Sequence, residues 1–289
     1  MRLSVILSTY DRPRALELAL WGYAVQTRRD FELVVADDGS GPETRALIER
    51  MRRETGLEIV HVWHEDRGFR KSEILNRAIL AAGGDYLLFS DGDCIPRADL
   101  VAVHRSLARP GRYLAGGYLK LPSRVSDAIT VDDVRTGRVT DLAWLRARGW
   151  RPGRRALRLT RNRRLAVLFD RVTPTAADFH GNNASTWREH LVEVNGFDME
   201  MGYGGLDKAL GYRLANLGVR GVQIRHRAVC VHLHHERPYR RPEVLRRNRA
   251  ILAAIRREGL VRAARGITEL EAEGSAVRAS AGARPRHRE

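Results

Sequence analysis

The chain has 289 residues, 43% of them hydrophobic, and a formal net charge of +16. A chain of this length and composition can bury a substantial core, which excludes disorder throughout and fits one large α/β domain or two small ones. The positive charge favours anionic partners, such as nucleotide diphosphates, nucleic acids or acidic membrane surfaces.

The cysteines and the apolar runs indicate the compartment. Cys94 and Cys230 form no CxxC pair, so no disulfide framework is expected and a reducing cytosol is the simplest setting. The apolar run at 3–8 is too short for a signal peptide, and no run in the sequence is long enough to span a bilayer. We expect a soluble cytoplasmic protein, or one bound peripherally to the inner face of the cell membrane.

Strands and helices are predicted to alternate through the first 90 residues. Short β-rich runs bounded by turn residues predict strands at 3–8, 31–36, 57–63 and 85–90. Apolar residues at helical spacing predict helices at 14–24, 42–55 and 72–82. This alternation favours a doubly wound, mostly parallel sheet.

The second half is less regular. Strands are predicted at 113–121 and within 219–231, and helices at 207–217 and 243–266. The stretch 135–164 is dense in arginine and carries interleaved tryptophans and leucines. It is typical either of a basic amphipathic insert that faces a membrane or an anionic acceptor, or of solvated helices with an arginine-rich surface.

Polar clusters follow three of the predicted strands, at 9–12, 37–39 and 91–93. The carboxyl ends of parallel strands meet at one edge of a sheet, which is where ligands bind in such folds. Asp91 and Asp93 would repel each other unless a cation lies between them. The alternative is that these clusters are solvated turns, since Asp and Gly are ordinary turn residues.

Two further segments carry candidate chemistry. The run CVHLHHE offers His232, His234 and His235 as a third ligand, and an imidazole beside carboxylates favours Mn²⁺ over Mg²⁺. Asp207 follows a glycine-rich loop at the start of a predicted helix, where the helix dipole would keep its carboxylate ionised and able to accept a proton. The alternative for Asp207 is a plain helix N-cap.

The chain resembles a family 2 glycosyltransferase of the GT-A fold, and its second half resembles galactosyltransferases and bacterial chondroitin polymerases. The matching pieces appear in family order over about residues 3–235: VILSTYDRP, ELVVADDGSG, EDRGFRKSEILNRAI, GDYLLFSDGDCIP, GNNAS, NGFDMEMGYGGLD and VCVHLHH. The resemblance implies an α/β, Rossmann-like, mostly parallel sheet flanked by helices, with a smaller acceptor-side region.

The same resemblance implies a role for each matching residue. The implied nucleotide-sugar-binding residues are Thr9, Tyr10, Arg12, Asp37, Asp38, Arg67, Lys71, Asn76, Asp91, Gly92, Asn182 and Asn183. The implied ligands of a Mn²⁺ or Mg²⁺ ion are Asp91, Asp93 and His232. Asp207 would be the catalytic base, and Tyr203 would stack on the acceptor sugar.

The implied domain spans 1–235, with a nucleotide-binding half (1–110) and an acceptor-side half (111–235) that carries an arginine-rich insert at 135–165. A basic helical extension (236–273) and a disordered tail (274–289) would follow. Four residues depart from the family pattern. Leu206 replaces a Glu that normally helps to hold the acceptor, which leaves the acceptor open and allows a hydrophobic or unusual one. Lys208 and Ala209 replace further polar or acidic residues, and Leu75 replaces the Arg of an Arg-Asn pair.

The implied reaction is inverting transfer from UDP-galactose, UDP-N-acetylgalactosamine or UDP-glucose to an acceptor hydroxyl, in synthesis of a cell-surface glycan or on a small metabolite. A retaining double displacement would need a nucleophilic carboxylate that the sequence does not indicate. Two other classes stay open. A haloacid-dehalogenase phosphatase would place its aspartate pair after the first strand, and a nucleic-acid-binding protein is supported by charge alone, so no specific nucleic acid is expected.

Overall fold

The structure is a computed structural model that describes residues 1–151, 153–236 and 241–272; the predicted tail at 274–289 lies outside them. Its strands are β1 (Leu3–Thr9), β2 (Phe31–Asp37), β3 (Ile59–Trp63), β4 (Tyr86–Asp91), β5 (Cys94–Pro96), β6 (Arg112–Ala115), β7 (Gly117–Lys120), β8 (Ala184–Trp187), β9 (Arg220–Gln223) and β10 (Val229–His232).

The α-helices are α1 (Pro13–Ala24), α2 (Pro42–Thr55), α3 (Lys71–Ala81), α4 (Leu100–Leu107), α5 (Ser123–Asp127), α6 (Val131–Arg135), α7 (Leu142–Ala147), α8 (Arg163–Val172), α9 (Arg188–Glu193), α10 (Leu206–Asn216) and α11 (Pro242–Glu258). Two 3₁₀ segments, η1 (Arg138–Thr140) and η2 (Gly153–Leu159), lie between α6 and α8. Among the residues that the structure describes, no helix combines the length and the apolar character needed to cross a bilayer.

The seven elements predicted in the first half are confirmed, with boundaries shifted by at most two residues. Strands β1 and β2 are buried along their whole length, which explains their continuous apolar runs. Pro13 and Pro42 each stand at the start of a helix, where the missing N–H of proline costs no hydrogen bond.

The main sheet has seven strands in the order β3-β2-β1-β4-β8-β6-β9. Strands β1 to β4 are parallel, as predicted, whereas β8 runs antiparallel to both β4 and β6. The carboxyl ends of β1, β2 and β4 therefore share one edge, and the polar clusters that follow them meet there.

The strand predicted at 113–121 is two strands in two different sheets. Strand β6 pairs in the main sheet, and β7 pairs with β10 in a second, three-stranded sheet of order β5-β10-β7. The chain changes sheet at Gly117, where a Cβ atom would lie 2.2 Å from the carbonyl oxygen of Arg225, so that only glycine allows this close approach.

The small sheet brings the far end of the chain to the aspartate pair. Strand β5, which was not predicted from sequence, pairs antiparallel with β10 and sets Cys94 opposite His232. Because Asp93 immediately precedes β5, this register places it beside the histidine run that ends β10.

Much of the arginine-rich stretch predicted at 135–164 is ordinary packing. Leu145, Trp150 and Leu159 are buried in an apolar cluster under the small sheet, together with Ile95 and Val231. Arginine side chains cover this cluster from outside; the Arg148 guanidinium, for example, lies 3.6 Å from the centre of the Trp144 ring. The stretch up to Leu159 is thus a packed insert with a basic surface.

Candidate active site

A cavity of about 920 Å³ opens at the carboxyl edge of the main sheet, between β1, β4, β10 and the start of α10. The predicted site residues that line it are Thr9, Tyr10, Arg12, Asp38, Arg67, Lys71, Asp91, Gly92, Asp93, Asn182, Tyr203, Asp207 and His232. Residues that are distant in sequence are thus gathered around one space large enough for a nucleotide sugar.

One oxygen of Asp91 is held on two sides. Lys71 Nζ and Ser8 Oγ each lie 2.7 Å from Asp91 Oδ1. Burial opposes the ionised form of Asp91, but the attraction of Lys71 and the hydrogen bonds from Lys71 and Ser8 together outweigh it, so the pKa of Asp91 is lowered. Asp91 is therefore a carboxylate at neutral pH.

Asp93 faces two histidines. The Nε2 atom of His232 lies 3.8 Å from Asp93 Oδ1, and the Nε2 atom of His235 lies 3.3 Å from Asp93 Oδ2. In both rings Nδ1 contacts a backbone carbonyl oxygen, of Leu233 at 2.7 Å and of Glu236 at 2.8 Å. A carbonyl only accepts, so Nδ1 carries the hydrogen and, in the neutral ring, Nε2 presents a lone pair to Asp93.

This arrangement fits a divalent cation. Burial lowers the pKa of His235, which favours its neutral form, and a lone pair beside a carboxylate calls for a cation between them. The candidate ligand atoms of Asp91, Asp93, Cys94 and His232 lie within 4.8 Å of one another. Burial raises the pKa of the Cys94 thiol and keeps it protonated, so the carboxylates of Asp91 and Asp93 and the imidazole of His232 are the better ligands for Mn²⁺ or Mg²⁺.

Asp207 lies in the first turn of α10 and does not cap it. Gly205 is the N-cap residue, so the alternative of a plain cap is not what the structure contains. Within the described part of the chain, Asp207 Oδ1 is buried and has no hydrogen-bond partner. A Cβ atom at Gly181 would lie 2.6 Å from this oxygen, so glycine is needed opposite the carboxylate.

The pKa of Asp207 is raised from its ordinary value, which is opposite to the effect expected from the helix dipole. Burial is the largest cause, and the negative charge of Asp91 adds to it, while Lys71 opposes both. A partly exposed carboxylate that lines the cavity and has a raised pKa is suited to accept a proton from a ligand that enters.

The cavity wall around Asp38 is fixed by polar contacts. Asp38 accepts a hydrogen bond from the backbone N–H of Arg70 at 3.1 Å, and its other oxygen lies 2.8 Å from His64 Nε2. Nearby, the Tyr10 hydroxyl donates to Asp66 at 3.0 Å, and this hydrogen bond raises the pKa of Tyr10. Asp38 is thus fixed at the cavity wall, where an oxygen of its carboxylate can accept hydrogen bonds.

Three predicted binding residues do not line the cavity. Asp37 is fully buried and lies 2.8 Å from His61 Nε2. Asn76 exchanges two hydrogen bonds with the backbone of Phe197, at 2.7 and 2.8 Å. Asn183 is turned inward, where its amide nitrogen donates to the carbonyl of Gly117 and its oxygen lies 2.9 Å from His104 Nε2. The side chains of these three residues therefore hold neighbouring segments in place around the cavity and do not line it.

Asn248 of α11 is a positioning residue that was not predicted from sequence. Its buried amide nitrogen lies 3.0, 3.2 and 2.6 Å from the carbonyl oxygens of Gly202, Tyr203 and Gly204. These three residues line the cavity just before Asp207. The sequence of α11 shows only a helical pattern of apolar residues. Nothing in that pattern distinguishes an asparagine that binds the backbone of a distant loop from one that faces solvent.

We expect the substitution Asn248→Ala to loosen the loop at 202–205. Three backbone carbonyls would lose a buried donor, at a cost of about 1–3 kcal/mol in the free energy of unfolding. Hydrogen exchange should become faster in peptides that cover this loop. Asn216→Ala is the matched control, since Asn216 donates to the carbonyls of Ile255 and Leu260, away from the cavity. Equal exchange at 202–205 in both variants would contradict the assigned role.

Comparison with known proteins identifies the domain. Residues 4–115 match the family model described as glycosyl transferase family 2. The chain contains a family 2 glycosyltransferase domain. This match argues against the alternative of a haloacid-dehalogenase phosphatase. The aspartate pair of such a phosphatase would follow the first strand, whereas here Asp91 ends β4.

The relatives of this glycosyltransferase domain are named for varied activities. A validoxylamine A glucosyltransferase of Streptomyces hygroscopicus subsp. jinggangensis is 31% identical over 233 residues, which are 75% of this chain and 52% of the relative. The chondroitin synthase of Escherichia coli is 27% identical over 232 residues, 75% of this chain and 32% of that protein. The chain thus spans about half the length, or less, of these relatives.

Solved structures confirm the GT-A fold. A mannosyltransferase of Pyrobaculum calidifontis, in complex with GDP-mannose and Mn²⁺, has a TM-score of 0.55 at 22% identity and covers 98% of this chain and 76% of its own. TarS of S. aureus, in complex with UDP-GlcNAc, has a TM-score of 0.57 at 16% identity and covers 93% of this chain and 69% of its own. At these identities the likeness extends to the fold alone.

Proposed function

We propose that the protein is a metal-dependent, inverting glycosyltransferase that moves a hexose or N-acetylhexosamine from a UDP-sugar to an acceptor hydroxyl. One observation carries the proposal. The buried, unpartnered carboxylate oxygen of Asp207 shares its cavity with the cluster of Asp91, Asp93 and His232. A proton acceptor and a candidate metal centre in one nucleotide-sized space are the parts that a single displacement needs.

In this proposal Asp207 accepts the proton of the acceptor hydroxyl as its oxygen attacks the anomeric carbon. The new carbon–oxygen bond forms on the face opposite the diphosphate, the bond to the diphosphate breaks, and its electron pair leaves with UDP. The configuration of the anomeric carbon is therefore inverted. Lys71, Arg12 and Arg67 line the cavity and place positive charge beside the leaving group.

Asp91, Asp93 and His232 would hold the cation, with His235 as a neighbour. When bound, Mn²⁺ or Mg²⁺ supplies positive charge that offsets the charge on the departing diphosphate. Support for Mn²⁺ comes from the imidazole in this set and from two fold neighbours that were solved with this ion.

The acceptor end of the cavity is less polar than the metal end. Leu206 and Val244 line it, and the rings of Phe69 and Tyr203 meet edge to face at 5.8 Å. We propose a sugar or other polyol with one apolar face as the acceptor, for which Tyr203 offers a stacking surface. Both a growing glycan and a small metabolite meet this description, and the relatives' names include each.

The nucleotide preference tests this proposal. We expect UDP to bind more tightly than GDP in calorimetric titrations with Mn²⁺, because the Asp38 carboxylate lies at the cavity wall where it can accept from the uracil N3–H. Its fixed position limits the room for a larger base. Tighter binding of GDP, the nucleotide of the archaeal mannosyltransferase, would contradict the assignment of a UDP-sugar.

A further inference from the structure

Helix α8 turns three of its large apolar side chains toward solvent, while Phe169 packs against His226. Leu165, Leu168 and Val172 are 42%, 49% and 62% exposed, and their spacing places them on one stripe of the helix. The residues on the opposite side, Ala166 and Asp170, are buried. A surface helix of a globular protein normally buries its apolar stripe, so this helix has the reverse orientation.

Asp170 fixes that orientation. It accepts hydrogen bonds from the backbone N–H of His226 at 2.8 Å and from Nε of Arg227 at 2.6 Å. The Gln223 side chain donates to the Asp170 carbonyl at 3.1 Å. Rotating α8 to bury its leucines would carry this carboxylate away from the His226 N–H and Arg227 Nε, and both donors would lose their acceptor. The outward apolar stripe is therefore built into the fold.

The surroundings of the stripe are strongly basic. Residues 151–172 contain eight arginines and a single acidic residue, the buried Asp170. Arg164 and Arg171 are exposed and project beside the stripe. Over the described residues, no carboxylate lies within ion-pair distance of either one. The neighbouring segment η2 adds Leu157, which is also exposed.

We propose that this outward face of α8, together with Leu157, docks onto an anionic lipid surface. Apolar side chains would enter the boundary between headgroups and acyl chains, and the arginines would contact the negative headgroups. A second copy of the chain would bring arginine against arginine. Residues 273–289 of the same chain contain four arginines and so carry like charge. A nucleic acid would use the arginines but not the leucines.

The segment η2, which carries Leu157, contacts a residue of the cavity wall. Arg158 of η2 donates to the carbonyl of Tyr118 at 2.7 Å, and Tyr118 lines the cavity. A protein held on a membrane through α8 would therefore keep its cavity close to the lipid surface. Docking through α8 depends on the surface of this helix and not on the sugar-transfer reaction.

Vesicle co-sedimentation of the full chain tests the proposal. We expect binding to vesicles of phosphatidylcholine mixed with phosphatidylglycerol, and much weaker binding to phosphatidylcholine alone. The triple variant Leu165→Gln, Leu168→Gln, Val172→Gln should lower the partition coefficient at least about tenfold, because it removes the apolar anchor. Arg164→Gln with Arg171→Gln should lower it by roughly thirtyfold, since each arginine near an anionic surface contributes about 1 kcal/mol.

Matched controls separate the docking face from general effects. Leu80→Gln, Val192→Gln and Leu260→Gln change exposed apolar residues elsewhere, and Arg45→Gln with Arg53→Gln removes the same charge from α2. Both controls should keep binding. Failure of the unmodified protein to bind anionic vesicles, or equal losses in the controls, would overturn the proposal. The proposal would also be overturned if the triple variant changed only self-association of the protein, or if the arginine pair changed only binding to DNA.

Discussion

Replacing Asp207 with asparagine is expected to slow sugar transfer by roughly 10²–10⁴-fold, the usual contribution of a general base. The same substitution is expected to raise thermal stability at neutral pH. One oxygen of the carboxylate is buried and has no partner among the described residues, and burial raises the pKa of Asp207. The fold therefore favours the neutral form, and a neutral amide of nearly the same shape fits the fold better.

The direction of the stability change follows from proton linkage. Between the pKa of Asp207 in the unfolded chain and its higher value in the folded chain, the folded state binds more protons. The stability of the unsubstituted protein must then fall as the pH rises through this window and stay lower above it. A pKa that is higher by one in the folded chain costs about 1.4 kcal/mol of stability above the window. Asparagine removes this cost, so the difference in unfolding temperature should be largest there.

The measurement is thermal unfolding in metal-free buffer at several pH values, beside UDP release with Mn²⁺. Asp133→Asn is a control for which the opposite change in stability is expected. Burial opposes its ionised form, but hydrogen bonds with Thr130 and Arg138 outweigh burial and lower the pKa of Asp133. Its loss should destabilise the fold above the ordinary aspartate pKa and leave transfer intact. A slow Asp207→Asn variant that is also destabilised would contradict the role of Asp207 as a base held in a costly buried state.

Asp93→Asn is expected to weaken Mn²⁺ binding by at least about 10–100-fold and to abolish metal-dependent transfer. The substitution removes the charge that faces the Nε2 atoms of His232 and His235, at 3.8 and 3.3 Å. Even residues that only support metal ligands contribute about this much to affinity. The Mn²⁺ affinity can be measured directly, by the electron paramagnetic resonance signal of the free ion, without any assay of activity.

Asp132→Asn is the control for this experiment, since Asp132 is an exposed carboxylate on α6 paired with Arg138. It should bind Mn²⁺ as the unsubstituted protein does. His232→Ala should weaken Mn²⁺ binding as Asp93→Asn does. The affinity of His235→Ala shows whether the second imidazole also contributes. Unchanged Mn²⁺ affinity in both Asp93→Asn and His232→Ala would rule out the candidate metal centre.

The sequence predicted those parts of the site that depend on local rules. Asp91 and Asp93 end a buried strand, and Asp207 begins a helix after a glycine-rich loop, so the edge of a parallel sheet brings them together. The alternative that 91–93 form a turn is also consistent with the structure, since Gly92 and Asp93 form the turn between β4 and β5. What sequence could not give is the register of β5 with β10, which sets His232 beside this turn.

Long-range backbone contacts explain the remaining differences. Asn76 and Asn183 stand in family-like segments, but their amides bind backbone groups of Phe197 and Gly117, which lie far away in sequence. The split of the strand at Gly117 follows from the carbonyl of Arg225. Likewise, an isolated pattern predicts that α8 buries its leucines. Asp170 reverses this orientation through partners that fold against it from more than 50 residues away.

The proposed function requires that one cavity joins a metal-assisted UDP-sugar site to a base at Asp207. The decisive measurement is UDP release from a panel of UDP-sugars, with Mn²⁺ or with EDTA, in the unsubstituted protein and in Asp93→Ala. We expect release from one donor that needs Mn²⁺ and is lost in Asp93→Ala. Release that persists in EDTA or in Asp93→Ala, or no release from any UDP-sugar together with no UDP binding, would contradict the proposed function.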